Sequence, residues 1–375
     1  MPPPTRSAYV HVPFCSHRCG YCNFTVVAGR GDLIEPYLTA LDRELSWLPT
    51  ECPVLTLFIG GGTPTQIPLA PWRRLLEMVT RRFRLEVSGE FSIEANPADV
   101  DPAILDAARR FGVTRISLGA QSFDRRKLQT LERDHLGEDI DHAVALAHDR
   151  FESVSLDLIF GLPHESLDTW RGDLQAALSL APHHISTYGL TFEKGTQFWN
   201  RLRRGELKPL DEERQREMFE LAIDMLTSAG YEHYEVSNFA IPGHRARHNE
   251  AYWTGREYYA AGPGAARYLD RCRETNHRSV TTYVKRVLRG ESPVAEQERL
   301  DDEAAARERL VFGLRRLEGV HRLEFLQQTG FSLDDLAAPA LGKLLQWKLL
   351  EFADNRLRLT MAGLMVSDSI WPELL

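Results

Sequence analysis

The feature that most limits how this chain can fold is an alternation. A short apolar run is followed by a helical pattern, six times before residue 191. The runs are Ala8–Val12, Val54–Ile59, Glu90–Glu94, Thr114–Leu118, Val154–Ile159 and His184–Leu190. Most are rich in Val, Ile, Leu, Phe or Tyr, and several end in Gly, Pro or Asn, which are strand signals. Between them Tyr37, Leu38, Leu41, Leu45 and Leu48 recur at helical spacing. Asp101 and Pro102 form a cap and first turn, and Gly112 is a stop. Ser166 opens a stretch that puts Leu167, Trp170, Leu174 and Leu178 on one face, and Asp211 to Gly230 bounds another helix. Strands alternating with helices imply right-handed crossovers and a parallel sheet. Six units are fewer than the eight of a closed barrel. The fold class expected is therefore α/β, a partial six-unit (β/α) barrel. The rival is a Rossmann-like open sheet, but the first strand lacks the GxGxxG turn that sheet would need.

From Asp301 the rhythm changes. Helical patterns cover Val311–Leu317, Leu323–Gln328 and Leu341–Leu345. Two short runs, Leu349–Phe352 and Arg356–Leu359, then flank Ala353-Asp354-Asn355 as a hairpin would. A last helix follows Ala362. This pattern resembles a small winged-helix unit. Three segments are expected: 1–235 as the barrel, 236–300 as a connecting segment, and 301–375 as the winged-helix-like C-terminal domain. From Asp301 onward nine Lys/Arg face twelve Asp/Glu, so the charge that DNA phosphates require is missing. Over the whole chain 45 basic and 53 acidic residues give a net charge of −8, again a poor match to nucleic acid. No apolar run approaches a membrane span, and the start lacks the apolar stretch of a secretory signal. A cytoplasmic location is expected, with peripheral membrane contact left open.

Three of the five cysteines, Cys15, Cys19 and Cys22, fall within eight residues as C-x3-C-x2-C, while Cys52 and Cys272 stand apart. An odd count so clustered does not make a disulfide framework. Three thiolates on one loop suit three corner irons of a cubane, since such clusters are held by cysteine thiolates. The fourth iron is left without a local ligand. A structural zinc site normally wants four ligands; His17 is a candidate fourth, but no second cysteine pair exists. Three unliganded cysteines is the other reading. Cys52 and Cys272 read as small hydrophobes.

Further motifs follow in order: Gly60-Gly-Gly-Thr-Pro-Thr65, Ser92-Ile-Glu94-Ala-Asn-Pro97, Ser117-Leu-Gly-Ala-Gln121-Ser-Phe123 and Asp157-Leu-Ile-Phe-Gly-Leu-Pro163, each at a strand end. Ligands of parallel α/β folds sit at those carboxyl ends. With the cysteine loop, this ordered set resembles the radical S-adenosylmethionine (SAM) superfamily. Within it the chain resembles, over nearly its whole length, the oxygen-independent coproporphyrinogen oxidase family. The resemblance implies a radical-SAM barrel with a 4Fe–4S cluster on Cys15, Cys19 and Cys22. It implies SAM chelating the open iron and contacting Tyr9, Tyr21, Gly61, Gly62, Thr63, Glu94, Gln121, Arg133 and Asp157. An electron donor would reduce the cluster and cleave SAM to methionine and a 5′-deoxyadenosyl radical.

Two departures place the chain within that family. The decarboxylating members carry a fourth cysteine two residues beyond the third, where this sequence has Phe24. They also carry a longer lead before the cysteine loop. Both features match the haem-chaperone branch, which binds haem as cargo and passes it to client apo-haemoproteins. His248-Asn-Glu-Ala-Tyr252-Trp253 matches the HNxxYW pattern of that branch. The resemblance implies His248 as an axial haem ligand, neutral imidazole being a standard one, with Tyr252 and Trp253 offering flat apolar surface. The bland alternative is a hydrogen-bonded core histidine. Where the branch often has Cys and His, this chain has Pro263 and Ala266. Two other functions compete: a coproporphyrinogen III oxidase of porphyrin biosynthesis, and a haem- or cluster-binding protein that does not cleave SAM. No catalytic residue is assigned.

Overall fold

The computed structural model describes residues 6–375; the start of the chain, on which the leader expectation partly rests, lies outside them. Six parallel strands form the body: β1 (Arg6–Val12), β2 (Cys52–Gly61), β3 (Phe83–Ala95), β4 (Arg115–Gln121), β5 (Ser153–Phe160) and β6 (His184–Gly189). They pair in sequence order, each parallel to the next. Five helices lie between or after them: α1 (Ile34–Ser46), α2 (Leu69–Arg82), α3 (Pro102–Arg110), α4 (Gly137–His148) and α5 (Leu167–Ser179), and α6 (Glu212–Ser228) follows β6.

The local signals act as expected. The Asp101 carboxylate accepts from the Ala103 and Ile104 amides, and Pro102 opens α3. Ser166 caps α5 through the Thr169 amide, and Asp211 caps α6 through Glu213 and Arg214. On α1, Tyr37, Leu38, Leu41 and Leu45 are fully buried against the sheet; Leu48 lies beyond the helix end. In the hairpin Leu350–Ala353 with Arg356–Leu359, Asp354 and Asn355 both take positive φ, 49° and 60°. That is the backbone of a two-residue hairpin turn, which Asp and Asn tolerate best.

The sheet is open and has twelve strands, more than the sequence suggested. Tyr258–Ala261 adds to the outer edge of β1 as a further parallel strand. Ala266–Leu269, Cys272–Asn276 and Val294–Arg299 continue outward, antiparallel. At the other edge Asn238–Ala240 pairs with β6, and Glu232–Glu235 pairs with Asn238–Ala240. The expected break at 235/236 thus falls inside a hairpin, and residues 236–300 extend the sheet at both edges. Strands of three to six residues with mixed polar composition give no clean period-2 signal. β3 is also longer than its apolar core, because exposed Arg84 and Ser88 interrupt the run.

The C-terminal unit runs helix Asp302–Leu314, strand Val320–His321, helices Arg322–Thr329 and Leu333–Gln346, then the hairpin. Val320–His321 pairs with Arg356–Leu357 to complete a three-stranded sheet. That order of helices and strands is winged-helix-like. The unit is stitched to the main sheet by backbone bonds, Val236 N to Arg315 O at 3.1 Å and Leu317 N to Tyr234 O at 3.1 Å. Among the described residues no helix is long and apolar enough to cross a membrane.

Several histidines lie in this interior. Burial lowers His11 and His233 to about 4 and His248 to about 3. The unfolded chain protonates such rings near pH 6.5, but the folded chain resists until about pH 4 or 3, so acid favours unfolding. Each ring contributes up to about 1.4 kcal/mol per pH unit within that window. The thermal midpoint should therefore fall between pH 6.5 and 4 and gain nothing from these rings above pH 7. A midpoint independent of pH across that window would contradict the burial of these side chains.

Candidate functional site

Beyond β1 the chain enters the cysteine loop. Phe14–Cys15 forms a short parallel pair with Val27–Ala28, closed by Val27 N to Pro13 O at 2.7 Å and Gly29 N to Cys15 O at 3.2 Å. The loop then docks on the glycine triplet at the end of β2. Gly62 N donates to Val12 O at 2.8 Å, and Thr63 N to Phe14 O at 2.7 Å. A Cβ on Gly62 would stand 2.6 Å from Phe14 O and 2.7 Å from Val12 O. Gly61 has φ +103°, and a Cβ there would overlap the His11 ring. Gly62 thus lets one backbone lie directly against another, and Gly61 makes room for the His11 ring. The resemblance makes Gly61 and Gly62 SAM contacts; the close approach seen here is first to β1 and the cysteine loop.

Cys15, Cys19 and Cys22 all face a cavity of about 930 Å³ at the carboxyl ends of the strands. The Thr63 hydroxyl points at Cys15 Sγ (3.7 Å), and Arg133 Nη1 at Cys19 Sγ (3.6 Å). Arg133 also donates to Asn96 Oδ1 at 2.6 Å and Gly119 O at 3.0 Å, while its Nε has no partner. Burial pushes the Cys15 thiol up to about 11 and raises Cys22. In this half-buried pocket bare thiolates are disfavoured, so a bound cation is what would hold them deprotonated. Among the described residues no three His, Cys, Asp or Glu side chains converge on a point that would hold a single metal ion. A cubane asks for a different arrangement, in which each sulfur takes its own corner iron. His17, the candidate zinc ligand, instead places Nε2 2.7 Å from Glu132 O.

The floor of the cavity is carboxylic. Glu94 Oε2 accepts from Gly61 N at 2.6 Å, and burial, with Asp157 nearby, lifts its carboxyl to about 7. Asp157 accepts from Ser117 Oγ at 3.1 and 3.0 Å and is likewise raised by burial. Gln121 closes β4 with φ +63°, a left-handed backbone uncommon outside glycine, and lines the same wall. Tyr21 also lines it, edge-on to Phe198 with ring centroids 6.2 Å apart. Of the nine expected SAM-contacting residues, Tyr9 alone is absent from the wall. Its hydroxyl meets His11 Nδ1 at 2.9 Å. His11 Nε2 must donate to Thr25 O at 2.7 Å, so Nδ1 accepts and Tyr9 donates. Tyr9 therefore stands behind Gly61 as support.

The HNxxYW segment forms a short helix, Arg247–Trp253, none of whose residues lines the cavity. His248 is buried. Nδ1 lies 2.8 Å from Thr56 Oγ1, Nε2 lies 2.8 Å from the Tyr252 hydroxyl, and Phe58 packs 5.1 Å from the ring. Glu90 accepts from the Arg247 and His248 amides at 3.2 Å each and caps the helix. Tyr252 turns inward to Tyr258, and Trp253 lies under the Arg315 guanidinium at 4.4 Å. The structure joins His248 to Tyr252 but brings neither to the cysteines. Sequence reasoning missed Asn96, Tyr188, Phe219, Arg315 and Leu364–Ser369, which also line the cavity. The last six come from the C-terminal unit and close the far side. Asn96 had a signal, lying inside a strand-end motif; the others had none.

Comparison with known proteins fits this geometry. Residues 9–177 match the Radical SAM superfamily, and residues 300–366 match the HemN C-terminal domain. "Heme chaperone HemW" of Lactococcus lactis is 35% identical over 370 residues, 98% of this chain and 97% of that protein. The chain belongs to the HemW family. The Bacillus subtilis HemW is 33% identical across 98% of both chains, and that of Escherichia coli 35% identical across 94% of this chain and 93% of its own. A solved structure, coproporphyrinogen III oxidase (HemN) of Escherichia coli, superposes with a TM-score of 0.86 over 99% of this chain and 90% of its own. At 22% identity that likeness concerns the fold, an open α/β radical-SAM architecture with a HemN-type C-terminal domain. Membership brings the 4Fe–4S cluster and SAM, and the three thiols, the two carboxyls and the open Arg133 Nε fit both. When bound, the cluster supplies the electron that SAM cleavage requires.

Proposed function

We propose that this protein is a radical-SAM haem chaperone, taking haem as cargo and delivering it to apo-haemoproteins. The observation that carries the reading is its near end-to-end likeness to bacterial proteins named heme chaperone HemW. The site agrees in one further respect. At the mouth of the cavity, where the decarboxylating branch has a fourth cysteine, stands Phe24, 65% exposed.

In this reading Cys15, Cys19 and Cys22 hold the cluster. Gly61, Gly62, Thr63, Glu94, Gln121, Arg133, Asp157 and Tyr21 hold SAM, and Tyr9 acts through His11 and Gly61. An electron donor and client haemoproteins complete the system. The test loads the anaerobically reconstituted protein with haem, removes free haem, and mixes it with an apo-haemoprotein of distinct Soret maximum. Haem should move to the client. A chain that retains no haem would overturn the proposal. Conversion of coproporphyrinogen III to protoporphyrinogen at turnover rates would promote the oxidase alternative.

His248 has a separate outcome. To ligate haem iron, its Nε2 must leave the Tyr252 hydroxyl and the helix must turn outward. We expect His248→Ala to lower the thermal midpoint, costing roughly 1–3 kcal/mol through the cavity left behind and the unpaired Tyr252 hydroxyl, since Thr56 keeps its bond to Ser7. Haem affinity of the folded fraction should be unchanged. A tenfold or greater loss of that affinity, about 1.4 kcal/mol, would restore the axial-ligand role.

A further inference from the structure

The C-terminal unit adds an arginine to the cavity wall. Arg315 follows the first helix of the C-terminal unit and lines the cavity beside Val236 and Ser237. Its guanidinium lies over the Trp253 ring, 4.4 Å from the centroid, a cation–π contact that orients it. Its Nε is buried without a hydrogen-bond partner, and so is Trp253 Nε1. Among the described residues Arg315 forms no ion pair. Of the other arginines on the wall, Arg216 is held by Glu213 and Glu220, and Arg133 is turned to Cys19. Two neighbouring buried N–H donors without an acceptor are uncommon in a folded protein, where such groups are normally satisfied.

The surroundings select the chemistry. Apolar side chains, Phe160, Phe219, Leu364 and Met365, line the same cavity, so the ligand that fits is broad and apolar with a carboxylate at its edge. We propose that Arg315, oriented by Trp253, binds a propionate carboxylate of the tetrapyrrole cargo. This rests on the haem-chaperone reading and assigns Trp253 a role: it carries the cation and does not stack on the macrocycle. The nearest rival partner is Glu235, whose Oε2 is also buried without a hydrogen bond. Burial raises its carboxyl while the Arg315 charge opposes that rise, so an incoming carboxylate would compete with Glu235 for the guanidinium.

The experiment compares haem with its dimethyl ester, in which both propionates are masked. Both are titrated by Soret absorbance into the wild-type protein, Arg315→Ala, Arg315→Lys and Glu235→Gln, each first shown to bind SAM as the parent does. Arg315→Ala should weaken haem binding ten- to a hundredfold and leave ester binding unchanged, because masking and mutation remove the same contact. Arg315→Lys should recover part of the loss. Equal loss for haem and ester, or none for either, would overturn the proposal. Parallel loss of thermal midpoint in Arg315→Ala and Glu235→Gln, with haem affinity intact, would make the arginine a structural counter-ion. Failure of the wild-type protein to bind either form would strike the chaperone reading itself.

Discussion

A Cys19→Ala chain, reconstituted anaerobically beside the parent, is expected to lose most of the roughly four irons a 4Fe–4S cluster supplies. The three thiols share one loop, and no fourth cysteine is near. Cys52 is buried in the core with Sγ 3.7 Å from Pro49 O, and Cys272 lies on an outer strand where Gln297 donates to it. With two thiolates left, two irons of a cubane would face solvent. Cys52→Ala and Cys272→Ala should keep the full iron and sulfide content, so cysteine loss in general is separated from loss of a ligand. Iron and acid-labile sulfide counting, with the visible absorbance of the cluster, decides the matter. A full complement in Cys19→Ala would remove the assignment.

The second large effect is on stability. Lys127 is buried with Glu165 and Asp173, Nζ lying 2.5 Å from Glu165 Oε1 and 2.6 Å from Asp173 Oδ2 and donating to Ile159 O at 3.1 Å. Asp173 also accepts from Ser122 Oγ and, at 2.7 Å, the Phe123 amide, and Glu165 accepts from the Leu162 amide at 2.9 Å. The network thus ties the turn after β4, which carries Gln121, to the turn after β5. Lys127→Met keeps the stem but leaves two buried carboxylates without their cation. Breaking such a pair costs about 3–5 kcal/mol. Lys343, whose pair with Glu373 is solvent-exposed, is the control: Lys343→Met should cost under about 1 kcal/mol. Denaturant unfolding of both variants measures the difference. Because the network supports the wall that carries Gln121, Lys127→Met should also weaken SAM binding under conditions where it remains folded. Stability within 1 kcal/mol of the parent would mean the carboxylates are satisfied in another way.

The sequence by itself determined the six parallel strands, their order and the face that bears the site. Each depends on information within about thirty residues: an apolar run, a cap such as Asp101 or Ser166, a stop such as Gly112. The cysteine loop was legible for the same reason, since C-x3-C-x2-C places its donors by covalent spacing alone. Strand-end residues such as Glu94 and Asp157 followed once the strands were known, because parallel strands present their carboxyl ends together. The remainder depends on contacts between distant segments. Tyr258–Ala261 is a strand because β1 offers it an open edge, not because four residues have a strong preference. Tyr9 reads as a site tyrosine until its hydroxyl is seen to donate to the His11 ring. The family resemblance makes His248 an axial haem ligand; only packing shows that Thr56 and Tyr252, 192 and 4 residues away, sit at its two ring nitrogens. Arg315 has no sequence signal. Its meaning comes from Trp253 beneath it and the cavity beside it, contacts between segments about sixty residues apart that only packing brings together.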